Sequence, residues 1–273
     1  MQKLTNQHVS AAYSYLAAEP EMNVFFLGDL EQFGMEGEQV SCGTSDRWKP
    51  GEEFPWLLLR YRDNALLYSR NEDYDASEAA EYIKEIRPRT ISGKDSLMRR
   101  LLACLPDRHA QQTQLARLET VTDQQKAEMG PLLERVRLLT PGDIPALYDL
   151  YMKIEEFAYN YRGKTREACY EDIRMNVSVL GRTYGIFEGE RLACAAQTSA
   201  ESPLSAMIVG VATDPDFRGR GYAKASVLKL CADCLEEGRQ FVCLFFDNPD
   251  AGRIYHSIGF TDVGAYTMLR SGE

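Results

Sequence analysis

The stretch Val209–Ala223, VGVATDPDFRGRGYA, constrains the fold more than any other part of the chain. Its first five residues are β-branched or small and read as a strand that runs out at Thr213. Asp214-Pro215-Asp216-Phe217 breaks that strand. Arg218-Gly219-Arg220-Gly221-Tyr222-Ala223 then leads straight into AKASVLKLCADCLEEG, whose apolar spacing is that of an amphipathic helix. A glycine-rich turn at a helix start leaves several N–H groups without intrahelical partners, and the positive end of the helix dipole adds to them. Glycine lets the backbone approach an anion closely, and Arg218 and Arg220 add charge. The physical reading is a diphosphate cradle between strand and helix. The turn is not the nucleotide P-loop, since no Gly-Lys-Ser/Thr closes it, and it does not match the GxGxxG dinucleotide fingerprint. In isolation it reads equally as a tight turn with solvated arginines.

The rest of the chain supplies a sheet for this unit. Upstream, Arg135–Leu139 reads as a strand, residues 143–157 and 165–179 as helices, and Thr183–Glu188, Arg191–Ala200 and Ser205–Thr213 as three strands. Glu188-Gly189-Glu190 between the first two of those strands is a hairpin signal. Downstream come the strand Phe241–Phe246, a helix over about 249–257 capped by Asn248 with Pro249 at its first position, and closing strands within 260–270. Hairpins mixed with crossovers imply an α+β fold with a mixed central sheet flanked by helices. The best boundary is residues 121–133, polar and broken by Gly130-Pro131. It divides an N-terminal α/β domain, 1–120, from a domain over 134–273. In the first domain, residues 5–18, 22–33, 78–87 (with Ser77 as cap) and 94–104 read as helices. Residues 56–61, 65–69, 89–92 and 114–119 read as strands.

At 273 residues with 44% hydrophobic and 26% charged side chains, the chain has ample material for a core. Its net charge is 31 − 41 = −10, which argues against a nucleic-acid backbone or an anionic membrane as partner, since both need a basic face. No apolar run nears the roughly 20 residues of a membrane span, and the start lacks a signal-peptide pattern. A soluble, cytoplasmic protein is expected. Seven scattered cysteines suit a reducing compartment. The lone CxxC, Cys231 and Cys234, falls inside the helical stretch and reads as buried packing. Three dispersed histidines give no metal site, and no metal is expected. Ser92-Gly93-Lys94 lacks the upstream glycine of a P-loop, because Pro88 stands there.

Two segments together carry a resemblance. Arg218-Gly219-Arg220-Gly221-Tyr222-Ala223 satisfies the pattern Q/R-x-x-G-x-G/A, and Asn248, Ala251, Tyr255, Gly259 and Phe260 satisfy N-x-x-A-x-x-x-Y-x-x-x-G-F. Both in this order, each with a strand before and a helix after, resemble the acetyl-CoA motifs of the GNAT superfamily of N-acetyltransferases over residues 134–270. The N-terminal half, through Asn23-Val24-Phe25-Phe26-Leu27-Gly28-Asp29-Leu30-Glu31, resembles more loosely the leading domain of two-domain bacterial members. It could be a degenerate GNAT-like fold, has no copy of the first pattern, and is not expected to bind CoA.

The resemblance implies that acetyl-CoA lies between two splayed parallel strands. Its pantetheine arm would pair with backbone near Val209, Val211, Ala212 and Thr213, and its diphosphate would sit on Arg218, Gly219, Arg220, Gly221, Tyr222 and Ala223. It further implies that a backbone N–H near Val211 polarises the thioester carbonyl and that Tyr255 is general acid to the leaving thiolate. Asn248 would contact the CoA arm or fix its helix. The acceptor would be a primary amine of a small molecule or protein that attacks the thioester directly. Glu155, Glu156, Glu188 and Asp247 are candidates for taking the amine's proton, each with a solvated surface acid as the alternative. Tyr159 and Tyr161 are candidates for lining the acceptor pocket. The expected assembly is a monomer or homodimer. Two other functions fit the same residues: a CoA-binding sensor without turnover, and a tandem-GNAT aminoacyl transferase using charged tRNA, against which the net charge counts.

Overall fold

The structure is a computed structural model, and it describes residues 1–179 and 181–272. The chain folds as two compact units, Met1–Leu115 with Asp262–Glu273, and Ala116–Thr261. The division differs from the expected one in two places. Residues 121–133, read as a linker, carry two short helices. Their Gln125 donates from Nε2 to the Ile258 carbonyl at 2.6 Å. The last strand falls with the first unit.

In the first unit the elements run β1 (Gln2–Leu4), α1 (Val9–Leu16), α2 (Val24–Phe33), β2 (Val40–Thr44), β3 (Leu57–Tyr61), β4 (Asn64–Tyr68), α3 (Ala76–Ile86), β5 (Thr90–Lys94), α4 (Asp95–Leu102) and the start of β6 (Arg108–Leu118). The second unit holds α5 (Asp123–Met129), α6 (Pro131–Glu134), β7 (Arg137–Leu138), α7 (Ile144–Tyr151), α8 (Glu155–Tyr159), α9 (Arg166–Ser178), β8 (Thr183–Glu188), β9 (Arg191–Ser199), β10 (Ser205–Thr213), α10 (Tyr222–Glu236), β11 (Phe241–Phe246) and α11 (Pro249–Ile258). The chain closes with β12 (Thr261–Ser271), one strand where more were expected.

The first unit's sheet is ordered β1-β2-β3-β4-β5-β12, antiparallel except for the parallel β4–β5 pair. The second unit's is ordered β11-β10-β9-β8-β7, antiparallel except for the parallel β10–β11 pair. Each parallel pair is joined by a helix, α3 or α10, as a crossover requires. In the second unit the neighbours Cys194 and Ala195 of β9 fall into different hydrophobic clusters, as alternation along a strand dictates. One cluster joins the sheet to α10 and α11 through Ile186, Ile208, Leu228 and Leu244; the other joins it to α7 and α9 through Leu147, Leu150, Ile173 and Ala212. Cys231 and Cys234 are fully buried in α10, which is the packing role read from sequence.

Three local departures have simple causes. The cap of α3 is Asp75, which accepts from the Glu78 N–H at 3.1 Å, while Ser77 donates to Asp75 at 2.6 Å. An ionised carboxylate is the stronger acceptor for a helix start, so it takes the cap from the hydroxyl. The helix expected over 143–157 breaks after Tyr151, because Ile154 turns extended and buries its side chain, while Lys153 reaches back to Asp214 at 2.6 Å. Strand β2, VSCGT, is buried at nearly every position and shows no alternation to read.

The first unit also holds a partly buried acid. Asp29, on α2, is desolvated enough that its carboxyl is pushed up to about 7. An acid raised in the folded state favours folding fully only below its unfolded pKa. That contribution is lost as pH rises from about 4 to 7. Asp29→Asn is therefore expected to raise stability at pH 8 by about 2–4 kcal/mol and to leave it nearly unchanged at pH 4. Urea unfolding at the two pH values checks this; an equal change at both would remove the charge as the cause.

Candidate active site

The site begins where β10 leaves its neighbours. Parallel pairing to β11 covers only Ser205–Ile208 against Phe241–Leu244, although β10 runs on to Thr213 and β11 to Phe246. Beyond Ile208 the two strands no longer pair. On its other side β10 carries a bulge: Val209 pairs with Gln197 and Ala212 with Ala195, leaving Gly210 and Val211 outside the ladder. Gly210 makes this possible with φ +61, and a Cβ there would sit 2.5 Å from Gln197 Nε2. Val209, Gly210 and Val211 are half-buried, and Gly210 and Val211 have no ladder partner on the β11 side. The closed end of the strand pair is held by charge. Arg182 donates to Glu201 at 3.0 and 2.8 Å and to Glu237, and Arg239 reaches Glu201 and Glu237, each at 2.6 Å.

After Thr213 the chain turns over the N-terminus of α10. Gly219 and Gly221 have φ +75 and +78, conformations that an L side chain strains to adopt. Gly221 caps the fifteen-residue helix without any side-chain hydrogen bond to its first amides, and the first turn holds no acid. Arg218 and Arg220 are exposed. Arg218 donates from Nε to the Thr213 carbonyl at 3.3 Å and Arg220 from Nη2 to that of Asp216 at 3.4 Å; neither has an ion-pair partner among the described residues. The result is a row of N–H groups at a positive helix end beside two exposed guanidinium groups, in a protein of net charge −10. A diphosphate fits that donor set.

Asn248 caps α11 through Oδ1, accepting the Asp250 N–H at 2.9 Å, with Pro249 next and Gly259 (φ +106) at the other end. Tyr255 is buried, its ring against Phe246 and Phe260 at 6.0 and 6.1 Å. Desolvation, with Cys194 and Cys231 nearby, pushes its phenol up to about 12, so it stays protonated across the neutral range. Cys194 in turn accepts from Thr213 Oγ1 at 3.3 Å. Val211, Ala223, Phe246 and Ala251 border the same hydrophobic cluster as Tyr255.

The expected acceptor residues are not drawn together in the same way. Glu155 and Glu156 are exposed on the first turn of α8, the former 3.8 Å from Arg162. Asp247 is exposed. Tyr159 is 45% exposed beneath the Arg162 guanidinium, and Tyr161 stacks on Tyr151 at 6.3 Å. Glu188 is engaged: Arg135 donates to it at 2.9 Å and the Tyr222 hydroxyl also donates to it, and these partners hold its carboxyl below the usual range. Sequence reading missed Gly210, Gln197, Asp214 and Arg191. Only Gly210 carried a local signal, a glycine interrupting a β-branched strand.

The first unit repeats the topology but fills the equivalent space. Strands β4 and β5 pair from Asn64 to Leu66, and a Cβ on Gly93 would lie 2.4 Å from the Leu67 carbonyl oxygen, so the strands stay close. Lys94 sits between Glu19 (2.8 Å) and Glu72 (3.1 Å), and Tyr68 donates to Glu19 at 3.0 Å. The N-terminus of α3 is satisfied by its own carboxylate, Asp75, where α10 has bare glycine. A groove of about 740 Å³ in the second unit, lined in part by Tyr148, Asp149, Lys153, Arg166 and Arg191, has its cations already paired to Asp214 and Asp149. Among the described residues no helix is long and apolar enough to cross a membrane, and no group of three His, Cys, Asp or Glu is placed to hold a metal ion.

Known proteins give the same fold. The chain is similar over 99% of its length to 98% of a Drosophila protein structure, at TM-score 0.71 and 12% identity. It is similar over 98% of its length to 94% of a GCN5-related N-acetyltransferase from Sphaerobacter thermophilus, at TM-score 0.60 and 15% identity. A tandem GNAT protein from the clavulanic acid biosynthesis pathway matches over the whole chain and 98% of its own, at TM-score 0.57 and 15% identity. No curated protein matches by sequence. The GNAT acetyltransferase family model matches residues 144–269, the span that holds the parting strands β10 and β11, the glycine turn and Tyr255. This span is a GNAT acetyltransferase domain, in a chain whose fold is that of GNAT proteins.

Proposed function

We propose that the protein transfers an acetyl group from acetyl-CoA to a primary amine, using the second unit alone to bind the donor. The observation that carries this is the coincidence of three features at one strand: the parting from β11 after Ile208, the bulge at Gly210–Val211, and the uncapped α10 turn. Acetyl-CoA supplies an activated thioester. The amides from Gly219 to Ala223 and the guanidinium groups of Arg218 and Arg220 hold its diphosphate. Backbone of Val209, Val211, Ala212 and Thr213 pairs with the extended arm, and the Val211 N–H stabilises the charge that builds on the thioester oxygen. Asn248 fixes the start of α11.

Tyr255 serves the leaving group. The amine nitrogen forms its bond to the carbonyl carbon, the C–S bond breaks, and the thiolate leaves needing a proton. A phenol held near pKa 12 cannot yield that proton outright to a thiolate of ordinary pKa near 8.5. It donates a hydrogen bond, and its proton moves only as the new ammonium N–H replaces it. The net transfer is from nitrogen to sulfur. The first unit, with its strand gap filled by Lys94, Glu19 and Glu72 and its helix start capped by Asp75, binds no CoA.

The test is to mix the protein with acetyl-CoA and a panel of primary amines, following free thiol and the mass of the amine together. Thiol release matched by a 42-Da gain on one amine, the mass of about one acetyl for hydrogen, is the expected result. CoA binding without thiol release from any amine would favour a sensor.

A further inference from the structure

The two ends of the anion turn are held by one hairpin. Glu188 and Arg191 face each other across the β8–β9 end, joined by Gly189 (φ +59) and Glu190. Arg191 takes the entrance of the turn, donating from Nη2 to Asp214 at 2.8 Å and to Asp216 at 2.7 Å. Asp214 is 1% exposed, also accepts Lys153 at 2.6 Å, and bonds the Asp216 N–H at 3.1 Å through its other oxygen. Glu188 takes the exit, accepting the hydroxyl of Tyr222, the first residue of α10, while Arg135 bonds Glu188 and lies 5.5 Å from the Tyr222 ring. Between these anchors Gly219 and Gly221 have no side chain to fix their backbone, and Arg218 and Arg220 are exposed. A glycine turn left free samples many conformations and loses that freedom on binding an anion.

We infer that the β8–β9 hairpin end, through Glu188 and Arg191, is a positioning element that presets the turn for the diphosphate. This rests on the acetyl-CoA reading above. Glu188 then acts on donor affinity through Tyr222, and is not the acceptor of the amine's proton. Each anchor is neutralised locally, by Arg135 or by Asp214 and Asp216, so the hairpin orders the turn without adding a net charge to the site.

The experiment titrates CoA into full-length wild type, Glu188→Ala, Glu188→Gln, Tyr222→Phe and Arg191→Ala by calorimetry, and measures kcat and KM for acetyl-CoA where turnover is found. Glu188→Ala and Tyr222→Phe should each weaken CoA about tenfold, the scale of one lost charge-assisted hydrogen bond, and the double variant should be no worse than either single. Glu188→Gln, which still accepts from Tyr222, should recover most of the loss. kcat at saturating acetyl-CoA should change less than about threefold. Arg191→Ala tests the other anchor should either Glu188 variant fail to fold. Unchanged CoA affinity in all four variants overturns the inference. A collapse of kcat shared by Glu188→Ala and Glu188→Gln, with affinity intact, overturns it too and makes Glu188 a base. Wild-type protein that binds no CoA defeats the underlying acetyl-CoA reading instead.

Discussion

Tyr255→Phe is expected to slow acetyl transfer by roughly 10²–10⁴-fold at saturating substrates while leaving CoA affinity and the fold nearly unchanged. The ring already packs against Phe246 and Phe260, and phenylalanine keeps both contacts. Only the hydroxyl is lost, the group proposed above to serve the departing thiolate. Because burial holds the phenol near 12, the wild-type rate should not fall between pH 7 and 9 through loss of this proton. It should rise in that range as the attacking amine deprotonates. Single-turnover rates separate chemistry from product release. An unchanged chemical step in Tyr255→Phe removes the tyrosine from the mechanism.

Gly221→Glu is expected to weaken CoA by about 10²-fold or more. A carboxylate some 4 Å from a diphosphate charge costs on the order of 4 kcal/mol at an effective dielectric near 20, less where water screens it. Room exists for the substitution in the free protein, since a Cβ there meets only Leu132 Cδ1 at 3.5 Å and Met129 Cε at 3.8 Å. The φ of +78 adds about 1–2 kcal/mol of backbone strain. Gly221→Ala carries the strain without the charge and should show a much smaller loss. Equal losses in the two variants would mean that backbone shape, not charge, sets affinity. Wild-type affinity in a folded Gly221→Glu would place the diphosphate elsewhere.

What could be read in advance depended on how far apart the interacting residues lie. The glycine turn and the caps Asn248 and Gly259 are local, and the residue types that satisfy them are few, so their sequence announces them. The bulge is different. Gly210 is visible in the chain, but the consequence needs Gln197 beneath it, a pairing set by register. Glu188 had the right chemistry for a proton acceptor. Its partner Tyr222 lies 34 residues on, and only the folded hairpin turns that acid into an anchor. The same limit explains the last strand. Thr261–Ser271 follows α11 in sequence, yet Tyr266–Arg270 pair with Thr90–Lys94 of the first unit, a partner no local pattern names.

The most direct measurement is amide hydrogen exchange on the full chain with and without acetyl-CoA. Slower exchange confined to residues 209–213 and 219–223 is the result expected if the parted strand and the glycine turn hold the donor, with peptides over 67–78 of the first unit unaffected. Protection of 67–78, or binding that leaves 219–223 exchanging as before, would contradict it.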